Sequence, residues 1–162
     1  MDFNDGTVPA DGLLLGSATG MTAGGIGGTG MVQLTPPANG LTGSFTLADK
    51  DGGRRVLGFE TRFGLRIGDA TNPPADGASF VWSPEAIESP FGEDGTGGGL
   101  VVSFDIYDNE DGNPDNATGE APAIEARWNG TSLGNIRVPR ALLETGARFA
   151  DVFIRVNADG SL

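Results

Sequence analysis

Apolar and polar residues alternate one for one along several short stretches of this chain, and the longest such stretch runs over 56–67. There Leu57, Phe59, Thr61, Phe63, Leu65 and Ile67 fall on one side, with Glu60, Arg62 and Arg66 on the other. A period of two is the period of a β-strand, so this segment predicts a strand with one face on a core and one in water. The same alternation recurs in Leu100–Asn109, where Val102, Phe104 and Ile106 make one fully apolar face opposite Val101, Ser103, Asp105 and Tyr107. Shorter strands are predicted at 2–6, 13–18, 31–35, 43–47, 78–82, 123–128, 136–138 and 152–156. Turn chemistry separates them: Pro36-Pro37, the Asp49–Gly53 segment and the hairpin dipeptide Asn129-Gly130.

Between the strands lie a glycine-rich irregular segment over 20–30 and a long loop over 83–99. No Gly-Lys-Ser/Thr follows the first, so it reads as a surface loop and not as a phosphate loop. Loops as long as the second are usually functional or disordered, and a helical turn is expected within it at Pro84–Ile87. Another is expected at Arg140–Thr145. No helical periodicity, internal repeat or compositional break divides the chain. The pattern predicts a single all-β domain over 1–162, an antiparallel β-sandwich or jelly roll.

Composition sharpens this picture. With 162 residues the chain can bury a real core, and Gly 28 with Pro 10 suits many short strands joined by turns. Lys+Arg 10 against Asp+Glu 22 gives a net charge of −12, which disfavours nucleic acid and anionic membrane surfaces and favours cations. There is no cysteine, hence no disulfide frame and no thiolate chemistry. Nor is there any histidine, which removes the commonest general base, the Ser-His-Asp triad and most zinc or iron sites. No apolar run is long enough to span a bilayer. The opening Met1-Asp2-Phe3 carries no signal peptide and reads as the start of a mature or excised domain.

The candidate chemistry sits at the end of the 100–109 strand. Asp105 closes the polar face, and oxygens continue through Asp108, Asn109, Glu110, Asp111, Asn113 and Asp115. No Lys or Arg lies between Arg66 and Arg127, so the nearest compensation for these carboxylates is a bound cation. Ligands that are all oxygen, several of them acidic, suit calcium better than a transition metal. An EF-hand does not fit, because Pro122 falls where its bidentate Glu belongs.

The segment Phe104-Asp105-Ile106-Tyr107-Asp108-Asn109 resembles the calcium-site strand of the L-type (legume-like) lectins of the concanavalin A-like superfamily. Asn113-Pro114 stands where those lectins carry Asp-Pro, and Pro74-Ala75-Asp76-Gly77-Ala78-Ser79-Phe80 resembles the segment that supplies their sugar-binding aspartate. Gly16-Ser17-Ala18, Gly30–Thr35, Phe59–Phe63 and Trp128-Asn129-Gly130 resemble other strands of the family in the same order, so the similarity covers nearly the whole chain. In texture it is similar to lectin-like domains of large bacterial surface proteins. The resemblance implies a concanavalin A-like jelly roll.

It also implies a site. The calcium ligands would be Asp105, the Tyr107 carbonyl and Asn109, with Asn113 as the fourth and Asp111 or Asp115 as its alternatives. Sugar hydroxyls would bond Asp76 and Asn109, a backbone N–H of Gly97, Gly98 or Gly99 would join them, and Trp82, Phe91 or Tyr107 would stack on the ring. The family's second metal is not expected, since Ser103 replaces its Glu and no His exists. Nor is catalysis expected, because the Glu-x-Asp-x-x-Glu segment of the related glucanases is missing. The function implied is a calcium-dependent, glycan-binding module of a secreted or cell-surface bacterial protein. The alternative is a structural or adhesive domain of the same fold without sugar binding. Because the family continues with further strands, a neighbouring chain or further segment is expected to complete the sheet at the C-terminal edge.

Overall fold

The computed structural model describes residues 1–68, 72–109 and 120–162. Its largest unit is a four-stranded antiparallel sheet of β6 (Gly77–Trp82), β7 (Leu100–Asp105), β8 (Ala123–Trp128) and β9 (Thr131–Arg137), in that order. Facing it is a ribbon of β5 (Phe59–Leu65) and β10 (Ala150–Val156), antiparallel, with Phe63 opposite Val152. Two smaller antiparallel pairs complete it: β1 (Gly12–Gly16) with β4 (Gly43–Leu47), and β2 (Thr19–Met21) with β3 (Met31–Gln33). The only helices among the described residues are a 3₁₀ turn at Ile26–Gly28 and α1 (Arg140–Leu143). The chain is an all-β antiparallel sandwich, as its alternation predicts.

The core lies between the ribbon and the sheet. Val102, Phe104, Leu100 and Ile106 are buried against Ile154, Ile67 and Leu143. Aromatic rings lock the layers: Phe59 meets Trp82 at 5.5 Å, and Phe63 meets Phe80 at 6.2 Å and Phe104 edge-on at 6.5 Å. Such edge and offset contacts contribute beyond the area they bury.

The other face of β7 is covered too. The 83–99 loop folds back over it, fixed by Ser79 Oγ donating to the Gly92 carbonyl at 2.6 Å and Arg127 Nη2 donating to the Asp94 carbonyl at 2.7 Å. Val101 and Ser103 are therefore buried, and Ser103 Oγ accepts from Arg127 Nη2 at 3.0 Å. Alternation alone places these residues in water; the loop removes them from it.

Several local expectations need correction. Residues 2–6 form a turn, closed by Gly6 N–H donating to the Phe3 carbonyl at 2.8 Å, and not a strand. The 56–67 strand is cut to Phe59–Leu65, leaving Leu57 exposed, while Ile67 stays buried, its N–H donating to Thr145 Oγ1 at 3.1 Å and its carbonyl accepting from the Thr145 N–H at 2.9 Å. The helical turn at Pro84–Ile87 does not form, and the glycine-rich 20–30 segment holds the end of β2 and the 3₁₀ turn. The strand expected at 136–138 begins at Thr131, because Asn129 (φ 48°) and Gly130 (φ 77°) make a tight primed turn that pairs β9 with β8 from its first residue.

Candidate cation-binding end of the four-stranded sheet

Antiparallel pairing of β6 with β7 places Gly77 opposite Asp105. The carbonyl of Asp76, one residue earlier, accepts from the Ile106 N–H at 2.9 Å, so the two sequence-distant aspartates meet at one corner. A Cβ at Gly77 would strike the Phe104 carbonyl and come within 3.1 Å of Glu93 Cβ, so only glycine lets β7 and the 83–99 loop close on this corner. The Ala75–Asp76 peptide is cis. Asp76 is exposed and Asp105 half-buried.

Beyond β7 the chain turns about the Asp105 side chain, whose Oδ1 accepts from the Tyr107 N–H at 3.0 Å. Ile106 and Asp108 are fully buried, Tyr107 is half-buried and Asn109 is exposed. The Asn109 N–H donates to Glu120 Oε1 at 2.7 Å, which brings the far end of the acidic segment back to the same corner.

The electrostatics are one-sided. Burial first, then the charges of Glu120, Glu93 and Asp94, push the Asp105 carboxyl up to about 6, against the lowering effect of the Tyr107 N–H. Burial and the charges of Asp76, Asp94 and Glu120 likewise raise Glu93. Five carboxylates thus share this corner. Arg127 reaches its outer member, with Nη2 3.5 Å from Asp94 Oδ1, and also lies 3.6 Å from Glu125, while Arg137 Nη2 donates to the Ala121 carbonyl, next to Glu120, at 2.7 Å. Carboxylates gathered in partial burial favour protonation or a bound cation. Among the described residues no three acidic side chains converge tightly enough to hold a metal alone. Asn113, Asp115 and Asp111, the remaining expected ligands, lie outside the described residues.

Asp76, Asp105, Tyr107 and Asn109 are therefore brought together. Gly98 and Gly99 are not. Gly99 lies at the opposite end of β7, its N–H bonded to Asn129 Oδ1 at 2.7 Å beside the Trp82–Leu100–Trp128 row. Six steps along the strand separate Gly99 from Asp105, about 20 Å at ~3.3 Å per step. Their N–H groups cannot join Asp76 and Asn109 on one sugar. Trp82 is at that far end as well, packed between Phe59 and Trp128, so it is core and not a stacking face for this corner. Glu93, Asp94 and Glu120 escaped the sequence reading. The length of the 83–99 loop was a signal for the first two; for Glu120, its place just before Pro122 and β8 was the only one. No protein-family model and no curated protein matches the chain.

Proposed function

We propose that this chain is a calcium-dependent, L-type-lectin-like carbohydrate-binding module with a concanavalin A-like jelly-roll fold, belonging to a secreted or cell-surface bacterial protein. The observation that carries the reading is the convergence of Asp76, Glu93, Asp94, Asp105 and Glu120 on one corner where Asp105 is held up to about 6. Calcium there would take oxygens from Asp105, the Tyr107 carbonyl and Asn109, with the acidic segment supplying the rest toward the usual ~6–8. Asp76, exposed beside it, would accept from sugar hydroxyls, and the Asn109 amide would donate. The resemblance to lectins supports the sugar half of the reading, and the charge supports the calcium half.

The test has two arms. Calcium about 100-fold above its Kd should stabilise the fold by about 2.7 kcal/mol. On a glycan array, binding should need calcium and vanish in Asp76→Ala while the fold survives. A melting temperature indifferent to both calcium and EDTA would sink the calcium half, and array binding retained by Asp76→Ala would sink the sugar half. The second reading is a structural or adhesive domain of the same fold without sugar binding. Its support is the position of Gly98 and Gly99 at the far end of β7, which deprives the corner of the expected backbone donors. Calcium stabilisation with no array binding would favour it.

A further inference from the structure

The β5–β10 ribbon has an open edge along β10. Apart from the register with β5, no backbone hydrogen bond joins Ala150–Val156 to another described residue. In an antiparallel strand alternate residues turn their N–H and C=O groups away from the partner, so every second residue of β10 offers a donor and an acceptor at this edge. An apolar groove of about 350 Å³ follows it. Its wall takes the inward Val152 and Ile154 as well as the outward Asp151, Phe153 and Arg155, so it runs beside the strand and not beneath it. Ile124 of β8 lines it too, and Ile136, opposite Ile124 on β9, is 68% exposed, so the core-facing side of the sheet extends past the ribbon.

The outer face of β10 is its own complement. Asp151, Phe153 and Arg155 stand two residues apart on it, an acid and a base either side of a ring that is 45% exposed. A second β10 laid antiparallel along the edge, with a two-fold axis at Phe153, sets Asp151 opposite Arg155 of the second copy and Arg155 opposite its Asp151. The two Phe153 rings then face each other, and Val152 on the inner face meets Ile154 of the second copy over the groove. All seven residues of the strand pair in this register. A shift of two residues sets Phe153 against a charge and shortens the ladder, and a shift of one turns the inner residues outward. The ribbon already continues the pattern: Arg155 Nε and Nη2 lie 2.7 and 2.6 Å from Glu60 Oε1, so charges alternate in sign from Glu60 through Arg155 to the added Asp151.

We propose that the free edge of β10 is an interface for a second copy of this chain, which joins the two ribbons into one four-stranded antiparallel sheet about a two-fold axis at Phe153. Opposite charges and aromatic rings directly across an antiparallel pair are the contacts that stabilise such a ladder. Because the axis doubles each of them, one surface supplies both halves of the interface. The Asn157 N–H is taken by the Ser161 carbonyl at 2.9 Å, which ends the available ladder at Val156, where this register ends as well. Asp76 and Asp105 belong to β6, β7 and their flanks, so the interface does not depend on the lectin reading of that corner.

Sedimentation equilibrium of the whole chain in about 0.15 M salt, which screens the repulsion between two chains of charge −12, tests this. A monomer–dimer equilibrium should appear as concentration rises, and it should be the same with calcium and with EDTA. Asp151→Arg, at an exposed position, sets like charges opposite each other at both symmetric places. It should weaken the dimer by about tenfold or more while the circular dichroism stays that of the wild type. The chain has no cysteine, so an introduced one reports the register. Phe153→Cys should form a disulfide-linked dimer on mild oxidation, since residues directly opposite in an antiparallel ladder lie ~4.5–5.5 Å apart. Asp151→Cys should link to Arg155→Cys when the two proteins are mixed, and faster than to itself. A dimer that Asp151→Arg leaves as tight as before, association that continues past the dimer, or Asp151→Cys linking to itself faster than Phe153→Cys does would each overturn the proposal. So would a chain that stays monomeric at every concentration, and the edge would then belong to a strand of different sequence.

Discussion

Asp105 holds more of the molecule's chemistry than any other side chain, because one carboxyl is at once a turn cap, a half-buried charge and a proposed ligand. Its carboxyl titrates near 6 in the fold, above its ordinary value of 3.8, through burial and then through Glu120, Glu93 and Asp94. A raised acid binds its proton more tightly folded than unfolded, so without calcium it contributes stability at low pH that is lost as pH rises from about 4 through 6. Discounted for its exposure to water, the loss is on the order of 1–2 kcal/mol. Glu93, raised in the same direction, adds to it. Asp105→Asn keeps an oxygen for the Tyr107 N–H and removes the charge. The calcium-free variant should melt above the calcium-free wild type at pH 7 and lose most of this pH dependence. If the wild type melts higher at pH 7 than at pH 5 without calcium, the corner is not short of positive charge. With calcium present, the order of the two proteins at pH 7 should reverse.

Elements formed from their own residues were legible, and those that depend on what packs on them were not. Gly43–Leu47 and Ala123–Trp128 carry their own alternation and turn signals, and both strands stand where the sequence sets them. The buried outer face of β7 was hidden, since the 83–99 loop that covers it has no periodicity to read. The site was half legible for a related reason. Asp76 and Asp105 meet because two strands pair in register, whereas Gly99 seemed close to Asp105 only along the chain, and a strand is as long as its residues are many. The β8–β9 turn makes a test at this scale. Asn129 adopts φ 48° and its Oδ1 accepts the N–H of Gly99, which is buried. Asn129→Ala should cost about 2 kcal/mol, since alanine strains at positive φ and leaves that N–H unsatisfied. Asn129→Gly relieves the strain and should cost less. Urea denaturation of the two variants gives the order directly, and equal costs would mean that the lost bond alone decides.

At the scale of the whole molecule, what makes one fold of separate strand pairs is the aromatic seam between ribbon and sheet. The ribbon contributes Phe59 and Phe63, the sheet Phe80, Trp82 and Phe104, and each ring of the ribbon touches two of the sheet. Two-stranded ribbons are marginal on their own in water, so β5 and β10 owe their stability to this contact. The four-stranded sheet likewise has an apolar face that the ribbon covers, together with Ile67 and Leu143. Neither layer outlasts the other if this is right, and unfolding is a single transition. Trp82 and Trp128 both belong to the sheet, so their fluorescence follows that layer, while far-ultraviolet circular dichroism follows all strands. The two signals should change together in urea for the wild type. Phe63→Ala removes the ring that bridges Phe80 and Phe104 and should cost about 3 kcal/mol, the low end for a phenylalanine truncation because Phe63 is only partly buried. The transition should move to lower urea with the two signals still coincident. If tryptophan fluorescence instead holds while the dichroism falls, the sheet is stable without its ribbon and the seam is a contact between independent layers.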